Sequence, residues 1–151
     1  MSPYSPADPG FRQRLNDSFG RQGVMQTLGA RLELAEAGRV VIVMAHKPEL
    51  TQQHGFLHAG IVATALDSAC GYAAFTLMPA DAAVLTIEFK VNLLAPARGP
   101  WFRIEGLVVK AGRTISVTEG KAWQHEPGGA EALCATMTAT IMTVQGRGLA
   151  H

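Results

Sequence analysis

Apolar residues fill one long stretch of the chain and alternate with polar residues almost everywhere else. From Ala59 to Leu77 nearly every residue is apolar, which predicts one long buried helix that the nearby Pro79 ends. The stretch "LTIEFKVNL" alternates strictly, and this pattern predicts a strand with one apolar and one polar face. The apolar set is Leu85, Ile87, Phe89, Val91 and Leu93, and the polar set is Thr86, Glu88, Lys90 and Asn92.

Similar patterns predict five more strands and a short first helix. "TLGARLEL" and "RVVIVMAH" flank the turn "AEAGR" and predict a hairpin. "WFRIEGLVVK" and "TISVTEGKAWQH" are joined by "AGR", a tight-turn signal, and "EALCATMTATIMTV" follows "PGG". Phe11, Leu15 and Phe19 recur every four residues, which predicts an amphipathic helix with Asp8 as its N-cap.

These elements predict an α+β fold in which an antiparallel sheet wraps around one long central helix. The last four strands, which follow the helix without interruption, are expected to form a meander. We place a single domain over residues 1–151, with an N-terminal helical extension over residues 1–26 and a frayed tail over residues 145–151.

Composition narrows the class of protein. The chain of 151 residues is 48% hydrophobic and 17% charged, as expected for a globular domain, and its 13 basic and 12 acidic residues leave no charge excess that would suggest a nucleic-acid partner. The start lacks the pattern of a secretory signal, and Cys70 and Cys134 read as core thiols of a reducing compartment, so we expect a cytoplasmic protein. A membrane-spanning helix is the alternative for the apolar stretch, but Asp67, Gly71 and the absence of flanking basic residues argue against it.

Asp67 is the only Asp, Glu, Lys or Arg between Leu50 and Ala80. A carboxylate in an apolar segment is costly unless it is paired or hydrogen-bonded, so Asp67 is a candidate base or nucleophile. It could equally be a solvated residue, or a structural carboxylate satisfied by Ser68 or Thr64. Apart from Asp67, the helix face that carries this residue has only small side chains. It could pack either on its own sheet or on the same helix of a second chain. Its members are Gly60, Ala63, Thr64, Asp67, Gly71 and Ala74.

The start of the long helix offers the second chemical element. Free backbone N–H groups near Ala59 and Gly60, aided by the helix dipole, could accept a developing oxyanion. Asp67 lies eight residues further on, or about 12 Å along the axis. One helix therefore cannot supply both groups to one carbonyl, whereas a two-fold dimer with antiparallel helices could. His54 and His58 are four residues apart, but no third ligand has recognisable spacing, so we predict no metal site and a positioning role for His58.

The segment "QQHGFLHAGIVATALDSACGYAA" resembles the central-helix signature of the hotdog-fold thioesterases, and in particular of the PaaI-like group of phenylacetic acid degradation. Gly55, His58, Gly60 and Asp67 match that pattern in order and spacing, and "TIEFKVNLLAPARG" and "VVKAGRTISV" resemble the strands that follow. The resemblance implies dimers or dimers of dimers that hydrolyse acyl-CoA thioesters. It implies neither metal nor separate cofactor, because coenzyme A is part of the substrate.

By that resemblance Asp67 carries the catalytic carboxylate, as nucleophile or as general base. The N–H of Ala59 would polarise the thioester carbonyl, and Thr86 would help to place water or substrate. Gln52 stands where the family more often has Asn; it keeps the side-chain amide, and with it a catalytic role in orienting the carboxylate or water. Ala59 replaces the first Gly of the usual pair but keeps its N–H. Eight further positions are assigned to substrate binding, although the basic ones could simply be solvated charges. They are His54, His58, Gly60, Arg98, Lys110, Gly112, Arg113 and Thr114.

The sequence therefore predicts an acyl-CoA thioesterase that is a homo-oligomer with active sites shared between subunits. The alternative is a hotdog module that binds acyl-CoA or another ligand without catalysis. A hydratase on the same fold is disfavoured, because the helix lacks an Asp-x-x-x-x-His pair.

Overall fold

A computed structural model describes residues 2–149 of the chain. Two helices, α1 (Phe11–Arg21) and α2 (Gly23–Leu28), come first, followed by strands β1 (Arg31–Glu36) and β2 (Arg39–Ala45). After a short 3₁₀ turn (Pro48–Leu50) the long helix α3 runs over Ala59–Phe75. Four strands complete the chain: β3 (Ala83–Leu93), β4 (Trp101–Lys110), β5 (Ile115–His125) and β6 (Glu131–Val144).

All six strands form one antiparallel sheet in the order β1-β2-β4-β5-β6-β3. Helix α3 packs against strands β2 to β6, so the structure confirms the predicted α+β fold of a sheet around a central helix. The predicted meander is wrong at β3, which pairs with β6 at the far edge of the sheet. Because α3 crosses the sheet between β2 and β3, the chain leaves the sheet beside one edge and rejoins it at the other. Strands β4, β5 and β6 then fill the part of the sheet between β2 and β3.

Helix α3 lies on the sheet with its bulky residues inward and its smaller residues partly outward. Val62, Leu66, Tyr72 and Phe75 are all buried in the core. On the small face, residues 60, 63, 64 and 67 remain exposed or half-buried, whereas residues 71 and 74 are buried. Among residues 2–149, no helix is both long enough and apolar enough to cross a bilayer.

A pair of glycines lets α3 approach the sheet closely. Gly106 on β4 and Gly120 on β5 are direct partners in the sheet. A Cβ atom on Gly106 would lie 2.2 Å from the Ala69 carbonyl oxygen, and one on Gly120 would lie 2.9 Å from the Cys70 sulfur. No side chain fits between sheet and helix at this point, so the two glycines set the height of the segment that carries Asp67.

The starts of the first helix and of the first strand differ from the prediction, because glycine residues end or precede the helices there. Helix α1 begins after Gly10, and Asp8 is not its N-cap but accepts the Gly10 N–H at 2.8 Å. The first strand begins at Arg31 and not at Thr27, because α2 continues to Leu28 and ends at Gly29, whose φ is +67°. Residues 145–149 of the predicted tail form no helix or strand, and residues 150–151 lie outside the described range.

A β-bulge at Ile87 changes which residues of β3 lie on the helix side of the sheet. The register with β6 shifts between Thr86 and Glu88, so that Thr86 opposes Ile141 and Phe89 opposes Ala139. Both partners are fully buried beneath α3, and directly opposed residues share a face of the sheet. The strict alternation predicted for this strand is therefore wrong. Thr86 lies on the helix side of the sheet with Phe89, and Leu85 lies on the outer side.

Candidate active site

Asp67 is half-buried on α3, and a residue of the sheet holds its carboxylate in place. The Thr86 hydroxyl donates a hydrogen bond of 2.7 Å to Oδ1 of Asp67. Thr86 can reach the carboxylate because the bulge at Ile87 keeps it on the helix side of β3. The bond engages one carboxylate oxygen, and Oδ2 accepts no hydrogen bond from residues 2–149.

A cleft of about 440 Å³ opens beside Asp67 and Thr86, and one of its walls comes from the N-terminal helices. The hydroxyl of Ser68 donates to Oε1 of Gln22 at 3.2 Å, which ties the break between α1 and α2 to the residue after Asp67. Ser18 and Tyr72 share a hydrogen bond of 3.1 Å in the same cleft. Sequence reasoning missed this wall, because nothing in the local pattern shows that α1 packs near Asp67.

The start of α3 is capped by a side chain. His58 is the N-cap residue, and its Nδ1 accepts the Gly60 N–H at 2.9 Å. The Gly60 N–H is thus already engaged by the His58 cap. The N–H of Ala59, the first helical residue, has no acceptor among residues 2–149.

The loop before α3 holds Gln52 and His54. Oε1 of Gln52 accepts the backbone N–H of His54, so this side-chain amide is folded onto its own loop, and the His54 side chain is exposed. Gln52 and Ala59 line a second cleft of about 380 Å³, together with Val62 and Cys134. Within one chain, Gln52 therefore lies with the helix start and not with Asp67.

Arg98 belongs to the same end of the molecule as the helix start. The carbonyl of Ala97 accepts the Leu57 N–H at 2.9 Å, which joins the loop of Arg98 to the loop that leads into α3. Buried Gln124 accepts the backbone N–H groups of Arg98 and Gly99 at 2.8 and 3.0 Å, and the Arg98 side chain stays exposed.

The other predicted basic residues lie at the opposite end of β4, on the exposed hairpin between β4 and β5. Lys110 ends β4, and Gly112, Arg113 and Thr114 form the turn that follows. The carbonyl of Thr114 accepts the Thr143 N–H at 2.8 Å, and Thr143 opposes Val84, which lines the Asp67 cleft. The predicted residues therefore fall into two groups. The length of β4, about 30 Å for ten residues at about 3.3 Å each, separates Arg98 from Lys110, whereas about 12 Å of α3 separates Ala59 from Asp67.

We call these the helix-start group and the carboxylate group. The helix-start group is Gln52, His54, His58, Ala59, Gly60 and Arg98. The carboxylate group is Asp67, Thr86, Lys110, Gly112, Arg113 and Thr114.

A long helix enclosed by a six-stranded antiparallel sheet defines a hotdog-fold protein. The family model of the thioesterase superfamily matches residues 54–131, which include both the helix start and Asp67. The chain belongs to this superfamily.

Comparisons with individual proteins agree with this assignment. The chain is 39% identical over 97 residues to "Putative esterase SSO2140" of Saccharolobus solfataricus, covering 64% of this chain and 68% of that protein. A crystal structure of a thioesterase family protein from Silicibacter pomeroyi is 56% identical, with a TM-score of 0.89 over 91% of this chain and 100% of that one. The E. coli PaaI protein from the phenylacetic acid degradation operon shares the fold, with a TM-score of 0.81 at 15% identity over 90% of this chain and 94% of its own.

Proposed function

We propose that the protein is an acyl-CoA thioesterase, which hydrolyses a thioester to a free acid and coenzyme A in active sites shared between two subunits. The observation that carries this proposal is the division of the predicted site. Asp67 and Thr86 line one cleft, whereas Ala59 and Gln52 line another, and about 12 Å of helix separates Ala59 from Asp67. Neither cleft alone offers both a carboxylate and a free helix-start N–H.

One two-fold axis would bring the two groups together. If the α3 helices of two chains run antiparallel, the helix-start group of one chain meets the carboxylate group of the other, and each dimer holds two equivalent sites. The face that such a contact would use is free in the single chain, because Gly60, Ala63 and Thr64 are at least partly exposed. Their small side chains would let the two helices approach closely.

The chemistry follows from the two groups. The thioester carbonyl oxygen would accept the Ala59 N–H, which lies at the positive end of the α3 dipole and stabilises the oxyanion of a tetrahedral intermediate. Asp67 would either attack the carbonyl carbon or remove a proton from the attacking water. The C–S bond then breaks, and coenzyme A leaves as a thiol once its sulfur takes up a proton. Attack by water gives the free acid directly, whereas attack by Asp67 leaves an anhydride that a water molecule hydrolyses to the free acid and the Asp67 carboxylate.

The proposed mechanism assigns no step to a metal ion. Within residues 2–149, no three His, Cys, Asp or Glu side chains are close enough together to hold one.

The same dimer would place basic residues of both chains near the nucleotide of coenzyme A. Arg98 lies at the helix-start end, and Lys110 and Arg113 lie at the carboxylate end, so the two-fold axis brings Arg98 of one chain towards the hairpin of the other. Phosphate groups favour such clusters of exposed basic side chains.

Replacing Asp67 with Asn tests the mechanism. The variant keeps the shape of the side chain and its hydrogen bond from Thr86, but it loses the base, so thiol release from acyl-CoA esters should fall at least ~100-fold. Release is followed with a thiol-reactive dye. Burial raises the thiol pKa of Cys70 to about 12 and that of Cys134 to about 11, so both cysteines stay protonated and masked at the assay pH.

Full activity of Asp67→Asn would sink the mechanism. If the wild-type protein binds acyl-CoA esters but releases no thiol, the fold serves as a binding module and the proposed activity is wrong. A panel of acyl-CoA esters that differ in chain length and in aromatic content covers the substrate range in one experiment.

A further inference from the structure

The cleft beside Asp67 contains hydrogen-bond donors that the proposed hydrolysis does not use. Gln22 sits between α1 and α2, and its backbone is fixed on both sides, since its N–H donates to Phe19 at 3.2 Å and its carbonyl accepts from Met25 at 3.0 Å. Its side chain enters the cleft with Oε1 bound to Ser68. Gln22 lines the cleft, and its side-chain NH₂ has no hydrogen-bond acceptor among residues 2–149.

Arg21 adds a positive charge to the same wall. It lines the cleft next to Gln22, and its guanidinium forms no salt bridge with any residue in the described range. The one carboxylate in the lining is Asp67 itself. Two side chains with hydrogen-bond donors thus line a cleft whose volume of about 440 Å³ is in the usual range for small-molecule sites.

We infer that this wall selects acyl groups that carry an oxygen acceptor, a hydroxyl or a carboxylate, in the part of the chain beyond the thioester. The inference rests on the proposed thioesterase function and adds the substrate class to it. Gln22 would donate to the acceptor oxygen, and Arg21 would favour an anionic one. A purely hydrocarbon acyl group would leave the Gln22 NH₂ desolvated and unpaired, which costs free energy. The N-terminal helices are then a specificity element of the site.

A carbonyl of the pantetheine arm of coenzyme A is the other source of an acceptor oxygen. That arm is common to all coenzyme A esters, so a contact with it would affect every ester equally. Only a contact with the acyl group changes the ratio between two esters that share the arm. The experiment therefore compares ratios and not absolute rates.

The substrates are matched pairs of acyl-CoA esters with four, six and eight carbons, with and without an ω-hydroxyl group, plus the six-carbon diacid ester adipoyl-CoA. At the best-fitting length, wild-type kcat/KM should favour the hydroxylated ester about 3- to 10-fold, the value of one neutral hydrogen bond. Gln22→Met, which keeps the side-chain length but has no donor, should bring this ratio to about one. Gln22→Glu keeps the acceptor for Ser68 and should specifically reduce turnover of adipoyl-CoA.

Two variants complete the design. Gln26→Met is the matched control, because Gln26 is exposed on α2 and donates to the Gly20 carbonyl at 2.7 Å, away from the cleft, so its ratios should equal those of the wild type. Arg21→Met should remove the preference for adipoyl-CoA over hexanoyl-CoA and leave the hydroxyl ratio unchanged. The same ratios are measured as Kd values by calorimetry in the Asp67→Asn background, where the esters stay intact.

Unchanged ratios in Gln22→Met would overturn the inference, and so would an equal loss for all esters. A protein that releases no thiol but shows the expected Kd ratios would contradict the proposed activity alone, and would support the recognition by Gln22.

Discussion

At the scale of single residues, the hydrogen bond between Thr86 and Asp67 orients the carboxylate that the proposed mechanism uses. The hydroxyl of Thr86 lies 2.7 Å from Oδ1 and restricts the rotation of the carboxylate beside the cleft. A hydrogen bond to a charged group contributes about 1.5–3 kcal/mol. Its loss would leave Asp67 in place but free to rotate.

We expect Thr86→Val, which preserves shape but lacks the donor, to lower kcat about 10- to 100-fold with little change in KM. Thr86→Ser should restore most of the rate, because it returns the hydroxyl to the same site. The two constants are measured with one acyl-CoA ester and thiol detection. Equal rates for the Val and Ser variants would show that the side chain only fills space and does not orient the carboxylate.

The sequence predicts Asp67 because a lone acid in an apolar stretch needs an explanation. It does not predict Gln22 or Ser18, because their proximity to Asp67 depends on how α1 packs on α3, and this packing is a tertiary contact without a local signal. Thr86 is assigned by resemblance, although the alternation of β3 places it on the wrong face. A bulge inserts one extra residue into a strand, so the residues on either side of it change their alternation between the two faces of the sheet. The sequence gives no clear signal for such a bulge.

At the scale of elements, the sequence predicts nearly every strand and the long helix, since each has a clear period of apolar residues. The order of the strands in the sheet is harder to predict from the sequence. The position of β3 beside β6 depends on the path of α3 across the sheet, and hydrophobic patterns do not record that path. The distance of α3 from the sheet is also not predictable from these patterns, because it depends on the pairing of Gly106 with Gly120.

This pairing gives a prediction about stability. Gly106→Ala places a Cβ atom 2.2 Å from the Ala69 carbonyl oxygen, so α3 must lift from the sheet. We expect a loss of about 1–3 kcal/mol in the free energy of unfolding, the usual cost of overpacking, measured by urea denaturation. Turnover should fall as well, since Ala69 is two residues from Asp67.

Gly20→Ala is the matched control for Gly106→Ala. Gly20 lies within α1, and a Cβ atom at this position would meet no neighbouring atom within 4 Å, so alanine should stabilise the helix by about 0.5–1 kcal/mol. An unfolding free energy of Gly106→Ala equal to that of the wild type would show that the sheet adapts and that the glycine pair does not set the helix height.

At the scale of the whole molecule, the surface of β3 fits a protein that pairs with a copy of itself. This strand of 11 residues lies at the edge of the sheet. Leu85, Ile87, Phe89 and Leu93 on it are between 44% and 53% exposed. An exposed, long apolar edge strand is a ready surface for pairing with another chain. Pairing of two β3 strands around a two-fold axis would cover it and would also place the two α3 helices side by side.

A mixed dimer tests whether each site combines two chains. Ala59→Pro removes the N–H proposed to bind the oxyanion. Proline is well tolerated at the first position of a helix, and His58 before it already has the extended conformation that proline requires, with φ −59° and ψ 139°. Homodimers of Ala59→Pro and of Asp67→Asn should each be almost inactive.

Co-expression of the two variants with different tags should restore activity if the sites are shared. In a mixed dimer one site then carries both defects, and the other has an intact Asp67 from one chain and an intact Ala59 from the other. Random pairing makes half of the dimers mixed, each with one working site of two, so about a quarter of the wild-type activity should return. Doubly tagged dimers isolated on two columns should reach about half. If each chain held a complete site, every site in the mixture would carry one defect and no activity would return.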